Sequence, residues 1–182
     1  MNSIKKHNDT ISSLIIYEDM LTKIGAIIAD AISDGNKLLI MGNGGSAADS
    51  QHFASELVGK FKKSRKGYPA IALTTDSSII TSVSNDYTFS EIFARQIQSY
   101  AGKGDILIGI STSGDSENII RGVIEGKSLG CKTIGLLGNE GGKLINMVDH
   151  SITVRHSDTQ RIQEAHIFII HLLCEIIENK LS

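Results

Sequence analysis

Five short apolar runs recur along this chain: Leu38–Met41, Ala70–Leu73, Ile106–Ile110, Thr133–Leu137 and Ile152–Val154. Stretches with helical spacing separate most of them. A parallel strand pair needs a long crossover, and the crossover helix covers the sheet. Alternating apolar runs and helices therefore predict a parallel five-stranded sheet buried on both faces. The only proline, Pro69, falls at the start of the second run, where its missing N–H is tolerated. Before the first run, Ile11, Leu14, Ile15, Leu21, Ile24, Ile28, Ala31 and Ile32 recur at helical spacing, and Gly35 closes that helix. The last segment, Arg161 to about Lys180, reads as a helix that is apolar nearly all round through Ile167-Phe168-Ile169-Ile170. Such a helix lies in a core or in a subunit interface.

Three of the strands end in loops of small residues. These are Gly42-Asn43-Gly44-Gly45-Ser46, Ser111-Thr112-Ser113-Gly114-Asp115-Ser116 and Gly138-Asn139-Glu140-Gly141-Gly142. In open α/β sheets ligands bind at the carboxyl ends of strands, where such loops converge. A strand that turns on glycines into a helix offers free backbone N–H groups at the positive end of the helix dipole, an anion cradle. With Ala47, the first loop also fits the dinucleotide fingerprint G-x-G-x-x-G/A, a weak signal by itself. Its acidic partner would be Asp76, which lies too far along the chain, and no Lys-Ser/Thr follows the glycines as a P-loop requires. No nucleotide cofactor is expected. A plain tight turn is the other reading. The second loop supplies four hydroxyls, from Ser111, Thr112, Ser113 and Ser116, at a helix start. That set suits a phosphate monoester. Helix capping accounts for one of these hydroxyls but not for four.

In the helix after the first loop, His52 and Glu56 are four residues apart and share one face. By itself such a pair is more often incidental than functional. At 182 residues and 41% apolar composition the chain is expected to form a single domain over 1–182, with an N-terminal helix at about 9–34 and an α/β core at about 36–182. A formal net charge of −2 gives no reason to expect a nucleic-acid partner. The one dense positive run, Lys60, Lys62, Lys63, Arg65 and Lys66, reads as a solvated helix end and loop, with attraction of an anionic substrate as the alternative. Cys131 and Cys174 have no metal-ligand spacing and read as buried thiols in a reducing compartment. No apolar run spans a bilayer, because Glu175 interrupts the longest, and the first residues lack a signal-peptide core. A cytoplasmic protein with no membrane partner is the expectation.

Six segments together resemble the sugar isomerase (SIS) family, and within it the phosphoheptose isomerases, over essentially the whole chain. They are Gly42-Asn43-Gly44-Gly45-Ser46, His52-Phe53-Ala54-Ser55-Glu56-Leu57, Gly67-Tyr68-Pro69-Ala70-Ile71-Ala72, Asn85-Asp86, Gly109 through Ser116, and Arg161-Ile162-Gln163-Glu164 with His171. The resemblance implies a three-layer α/β/α, flavodoxin-like SIS domain with an added N-terminal helix. It implies isomerisation of sedoheptulose 7-phosphate to glycero-manno-heptose 7-phosphate, a precursor of bacterial surface polysaccharide heptose. It also implies a homotetramer with sites between subunits. Carried over by motif, Asn43, Gly44, Gly45, Ser46, Ser111, Thr112, Ser113 and Ser116 are substrate and phosphate contacts, and Asn85 and Asp86 are sugar contacts. Glu56 and His171 are the acid/base pair, with Glu56 and Gln163 also touching substrate. His52, Glu56, Gln163 and His171 correspond to the zinc site of some members, one ion per subunit. Gln163 and His171 are eight residues apart, a rise of ~12 Å in a helix, so sharing an ion requires their side chains to lean together. Lys60 and Gln160 depart from the family pattern, which often has Arg and Asp there; lysine keeps the charge but loses the guanidinium fork. A non-catalytic, replication-initiation (DiaA-like) member of the same fold is the competing reading. Its tail resembles Leu173-Cys174-Glu175-Ile176-Ile177, but it lacks the pair found here at Glu56 and His171.

Overall fold

The computed structural model describes residues 2–182. Helices α1 (Asn2–Ser13) and α2 (Glu18–Ser33) precede β1 (Leu38–Gly42), α3 (Gly45–Val58) and β2 (Ala70–Ala72). Then follow α4 (Ser77–Asp86), α5 (Ile92–Tyr100), β3 (Ile106–Ser111), α6 (Glu117–Ser128), β4 (Lys132–Gly138), β5 (His150–Val154) and α7 (Thr159–Leu181). The five strands pair in parallel in the order β2-β1-β3-β4-β5. The predicted sheet is therefore present, with its ends moved by a residue or two.

Strand alternation divides the core in two. Leu38, Ile40, Ile106, Ile108, Ile110, Ile134, Leu136 and Ile152 face one way, onto α2, α3 and α7. Leu39, Met41, Leu107 and Leu137 face the other way, onto α5 and α6. Both faces being covered, the central strands β1, β3 and β4 are buried almost without break, and the result is the three-layer α/β/α arrangement. β1 lies between β2 and β3, so the crossover after β1 runs to β2 on one side while the crossover after β3 runs to β4 on the other. That divergence opens a crevice at the carboxyl ends of β1 and β3.

The N-terminal helix expected at 9–34 is two helices, joined by a 3-10 turn at Leu14–Tyr17. A 3-10 turn aligns residues three apart. Here it turns both Leu14, which is buried, and Tyr17, whose hydroxyl donates to the Thr153 carbonyl at 2.9 Å, onto the body of the protein. The cost is that Ile15 and Ile16 stand 71% and 74% exposed. On α7, Ile162, Ala165, Ile169, Ile170, Leu173 and Ile177 are buried against the sheet, while Phe168, Leu172 and Ile176 line an apolar groove of 470 Å³ with Ile11 and Ile15. Among the described residues no helix is long and apolar enough to cross a membrane.

Candidate active site

The two loops that flank the crevice are built differently. In the first, Gly44 takes φ +55°, which glycine adopts without strain, and starts α3. Asn43 is fixed by a reciprocal amide pair with Asn118 of α6, at 2.9 and 2.8 Å. Asn118 carries no motif of its own, and only the fold reveals that it ties the first loop to the second. Ser46 is buried on the first turn of α3.

In the second loop, Ser111 is buried and its hydroxyl lies 3.1 Å from that of Ser116 and 3.5 Å from that of Ser113. The Gly114 N–H donates to Ser111 and the Asp115 N–H to Ser113. Ser116 is the residue before α6, yet its side chain makes no capping bond; its hydroxyl turns inward to Ser111. Capping therefore does not account for Ser116. Three hydroxyls converge at the amino end of α6, where the dipole favours an anion. The third loop braces this cluster: Asn139 donates to the Thr112 carbonyl, Lys143 N–H to Asp115, and Leu144 N–H to the Gly114 carbonyl. A side chain at Gly114 would meet the Gly141 carbonyl oxygen at 2.0 Å, so the two loops touch backbone to backbone.

Helices α3 and α7 run side by side in the same direction. Gln163 lies against Gly45, and His171 lies against His52, so a step of eight residues on α7 matches one of seven on α3. This register brings His52, Glu56 and His171 together, with one ligand atom from each within 4.8 Å of the others. His52 Nε2 is 3.0 Å from Glu56 Oε1 and 3.5 Å from His171 Nε2. The His171 ring meets that of His52 edge to face and is stacked 5.9 Å from Phe61. Gln163 does not lean toward them; its amide nitrogen rests on Gly45, where a Cβ would stand 2.3 Å away. Asn85 and Asp86 are exposed at the end of α4, where the Asn85 amide donates to Asp86 at 2.9 Å. No hydrogen bond among the described residues ties them to either loop.

Two imidazole nitrogens and a carboxylate oxygen form the donor set that zinc takes in catalytic sites, three protein ligands with one position open. A tetrahedral ion with such bonds separates its ligand atoms by about 3.3 Å, and the two observed separations, 3.0 and 3.5 Å, bracket that figure. The residues present therefore fit the ion.

Asp49, one turn before His52 on α3, has a buried oxygen without a partner. Burial pushes its carboxyl up to about 6, against the pull of His52. His166 is fully buried on α7, and its Nε2–H donates to the Leu137 carbonyl at 3.0 Å. Burial pushes its pKa down to about 4, with that hydrogen bond opposing, so the ring is neutral. The positive run after α3 is not wholly solvated as the sequence suggests, because the Arg65 side chain is only 6% exposed. Its guanidinium donates to the carbonyls of Glu56 and Leu57 at 3.0 and 2.8 Å, and to the Glu178 carboxylate of α7 at 3.0 Å.

A sheet in this order, with one phosphate-type loop after β1 and another after β3, is the architecture of the SIS domain, whose family model matches residues 5–138. Phosphoheptose isomerase of Geotalea daltonii is 51% identical over 183 aligned residues, 99% of this chain and 94% of its own length. The phosphoheptose isomerase of Aquifex aeolicus is 52% identical over 90% of this chain and 85% of its own. The solved structure of phosphoheptose isomerase GmhA from Neisseria gonorrhoeae superposes with a TM-score of 0.89 at 37% identity, covering 98% of this chain and 94% of that one. The chain belongs to the SIS domain family and, within it, to the phosphoheptose isomerases.

Proposed function

We propose that this protein is an aldose–ketose isomerase that converts D-sedoheptulose 7-phosphate to D-glycero-D-manno-heptose 7-phosphate. The observation that carries the reading is the convergence of His52, Glu56 and His171, in a chain about half identical to phosphoheptose isomerases over nearly its full length. The Ser111, Ser113 and Ser116 hydroxyls, with the N–H groups at the start of α6, hold the phosphate. Asn43, Gly44, Gly45, Ser46 and Thr112 line the path from that phosphate, and Gln163 meets the substrate beside Gly45. Glu56 removes the proton on the carbon next to the carbonyl, giving an enediol, and His171 acts as the partner acid/base while the proton returns to the neighbouring carbon. His52, bonded to Glu56 Oε1, orients the carboxylate. His52, Glu56 and His171 are the residues that would hold a zinc ion, which would supply polarisation of the substrate carbonyl. Gln163, whose amide rests on Gly45, would join this set only by turning away from that glycine.

The exposure of Asn85 and Asp86, with no hydrogen bond to either loop among the described residues, supports their meeting the sugar in a homotetramer with sites between subunits. The apolar groove between α7 and the α1–α2 joint supports the same assembly. We read the protein as cytoplasmic, its product feeding heptose synthesis for lipopolysaccharide or capsule. The non-catalytic, replication-initiation reading is not favoured, because Glu56 and His171 are both retained and face one another through His52. Purified protein incubated with sedoheptulose 7-phosphate, with and without added zinc, is expected to form the aldose phosphate. Absence of aldose under both conditions, with binding to the replication initiator instead, would sink the reading.

A further inference from the structure

The turn that follows α3 is held by a buried ion pair remote from the substrate loops. Glu178, 2% exposed, receives the N–H groups of Lys62 and Lys63 at 3.0 Å through one oxygen and the Arg65 Nε–H at 3.0 Å through the other. Arg65 also donates to the carbonyls of Glu56, Leu57 and Gly59 at the end of α3 and to that of Lys66, and lies over the Tyr68 ring at 3.8 Å. Its positive charge thus sits at the negative end of the helix that carries His52 and Glu56. The turn folded back by this pair contains Phe61, which stacks on His171. One guanidinium–carboxylate pair therefore joins three things: the main chain of Glu56, the wall behind His171, and α7, which carries His171.

A buried ion pair contributes little net stability, because desolvation offsets the attraction, so a stability role alone explains it poorly. We propose that Arg65 and Glu178 are positioning residues for the His52–Glu56–His171 centre, setting the height of Glu56 relative to His171 through the end of α3 and the Phe61 wall. The inference rests on that centre being the zinc and acid/base site. Lysine at position 65 keeps the charge beside Glu178 but cannot form the planar fork that spans the carboxylate and two helix-end carbonyls. Groups that orient metal ligands typically carry 10–100-fold in metal affinity or activity.

The test compares wild type, Arg65→Lys and Phe61→Leu, each as the full chain. Zinc affinity is read by competition with a chromophoric chelator, and kcat, KM and melting temperature are measured alongside. In Arg65→Lys, zinc binding is expected to weaken about tenfold or more and kcat to fall about tenfold. KM should stay within about threefold and melting within a few degrees, since the substrate loops and the charge pair remain. Phe61→Leu, which leaves the ion pair intact, is expected to show a smaller zinc defect of the same sign. Should Arg65→Lys not fold, that second variant decides. Wild-type zinc affinity and kcat in the folded variants overturn the inference, as does a loss that appears in KM alone. An inactive wild type that still binds zinc tells against the proposed reaction; the chelator result continues to judge the clamp.

Discussion

Glu56 is joined to His52 through one carboxylate oxygen, so the consequences of changing it separate chemistry from folding. Glu56→Gln is nearly isosteric, and the His52 contact survives with an amide in place of the carboxylate. The base is lost, and general-base catalysis is typically worth about 10²–10⁴-fold. Turnover should fall by that order with substrate binding retained, as read by steady-state kinetics and calorimetric titration, and the zinc content of the purified variant should drop. A wild-type rate in both Glu56→Gln and His171→Asn would mean that this pair is wrongly assigned.

His166 supplies a pH dependence that belongs to the fold rather than the reaction. Its folded pKa of about 4 lies below the 6.5 of an ordinary imidazole, so the unfolded chain takes up a proton that the folded chain refuses. Stability from this group is present above about pH 6.5 and is lost as pH falls toward 4. Asp49 works with the opposite sign: its carboxyl, raised from 3.8 to about 6, favours the folded state below pH 3.8 and loses that contribution as pH rises through 6. Melting temperature followed from pH 7.5 to 4.5 should therefore decline less in His166→Gln than in wild type. It should decline more steeply in Asp49→Asn. Identical slopes in all three proteins would rule out the burial argument.

At the scale of elements, the parallel register of α3 against α7 decides which side chains meet. Gly45 sits on the first turn of α3, and Gln163 occupies the space its missing side chain leaves. The atoms in the way belong to the far end of a flexible side chain, so Gly45→Ala should displace the Gln163 amide without breaking the fold. Alanine is favoured over glycine in a helix by roughly 0.5–1 kcal/mol, so stability should hold or rise slightly. If Gln163 touches substrate there, KM should rise in the same variant. Unchanged KM together with unchanged metal affinity would remove Gln163 from the site.

At the scale of the molecule, one apolar groove lies between α7 and the α1–α2 joint. Ile15 and Ile16 are exposed at the joint between α1 and α2, and Phe168 is exposed on α7, beside a groove lined by Ile11, Leu172 and Ile176. A charge there would oppose burial against another copy at a cost of several kcal/mol. If the proposed homotetramer is built on this face, Phe168→Glu should lower the mass seen by sedimentation to that of a smaller species while the chain stays folded. A tetramer that persists at micromolar concentration would place the subunit interface elsewhere.

Much of this architecture is legible in the sequence. The five apolar runs became the five strands because residues buried on both faces of a parallel sheet leave a continuous apolar signature, and the glycine and serine loops followed because turns and anion cradles demand small residues. His52 and Glu56 could be paired from their spacing, since a helix fixes neighbours four apart. Other relations had no local signal. The break at Leu14–Tyr17 depends on what Leu14 and Tyr17 find to pack against. The Asn43–Asn118 pair, the inward turn of Ser116 and the burial of Arg65 beside Glu178 join residues up to 113 positions apart. Spacing along a chain determines which residues share a helix face or a strand face. Only the packing of α3 and α7 on the sheet decides that His171 reaches His52 while Gln163 stops at Gly45, because that depends on the register between two helices and not on the periodicity of either.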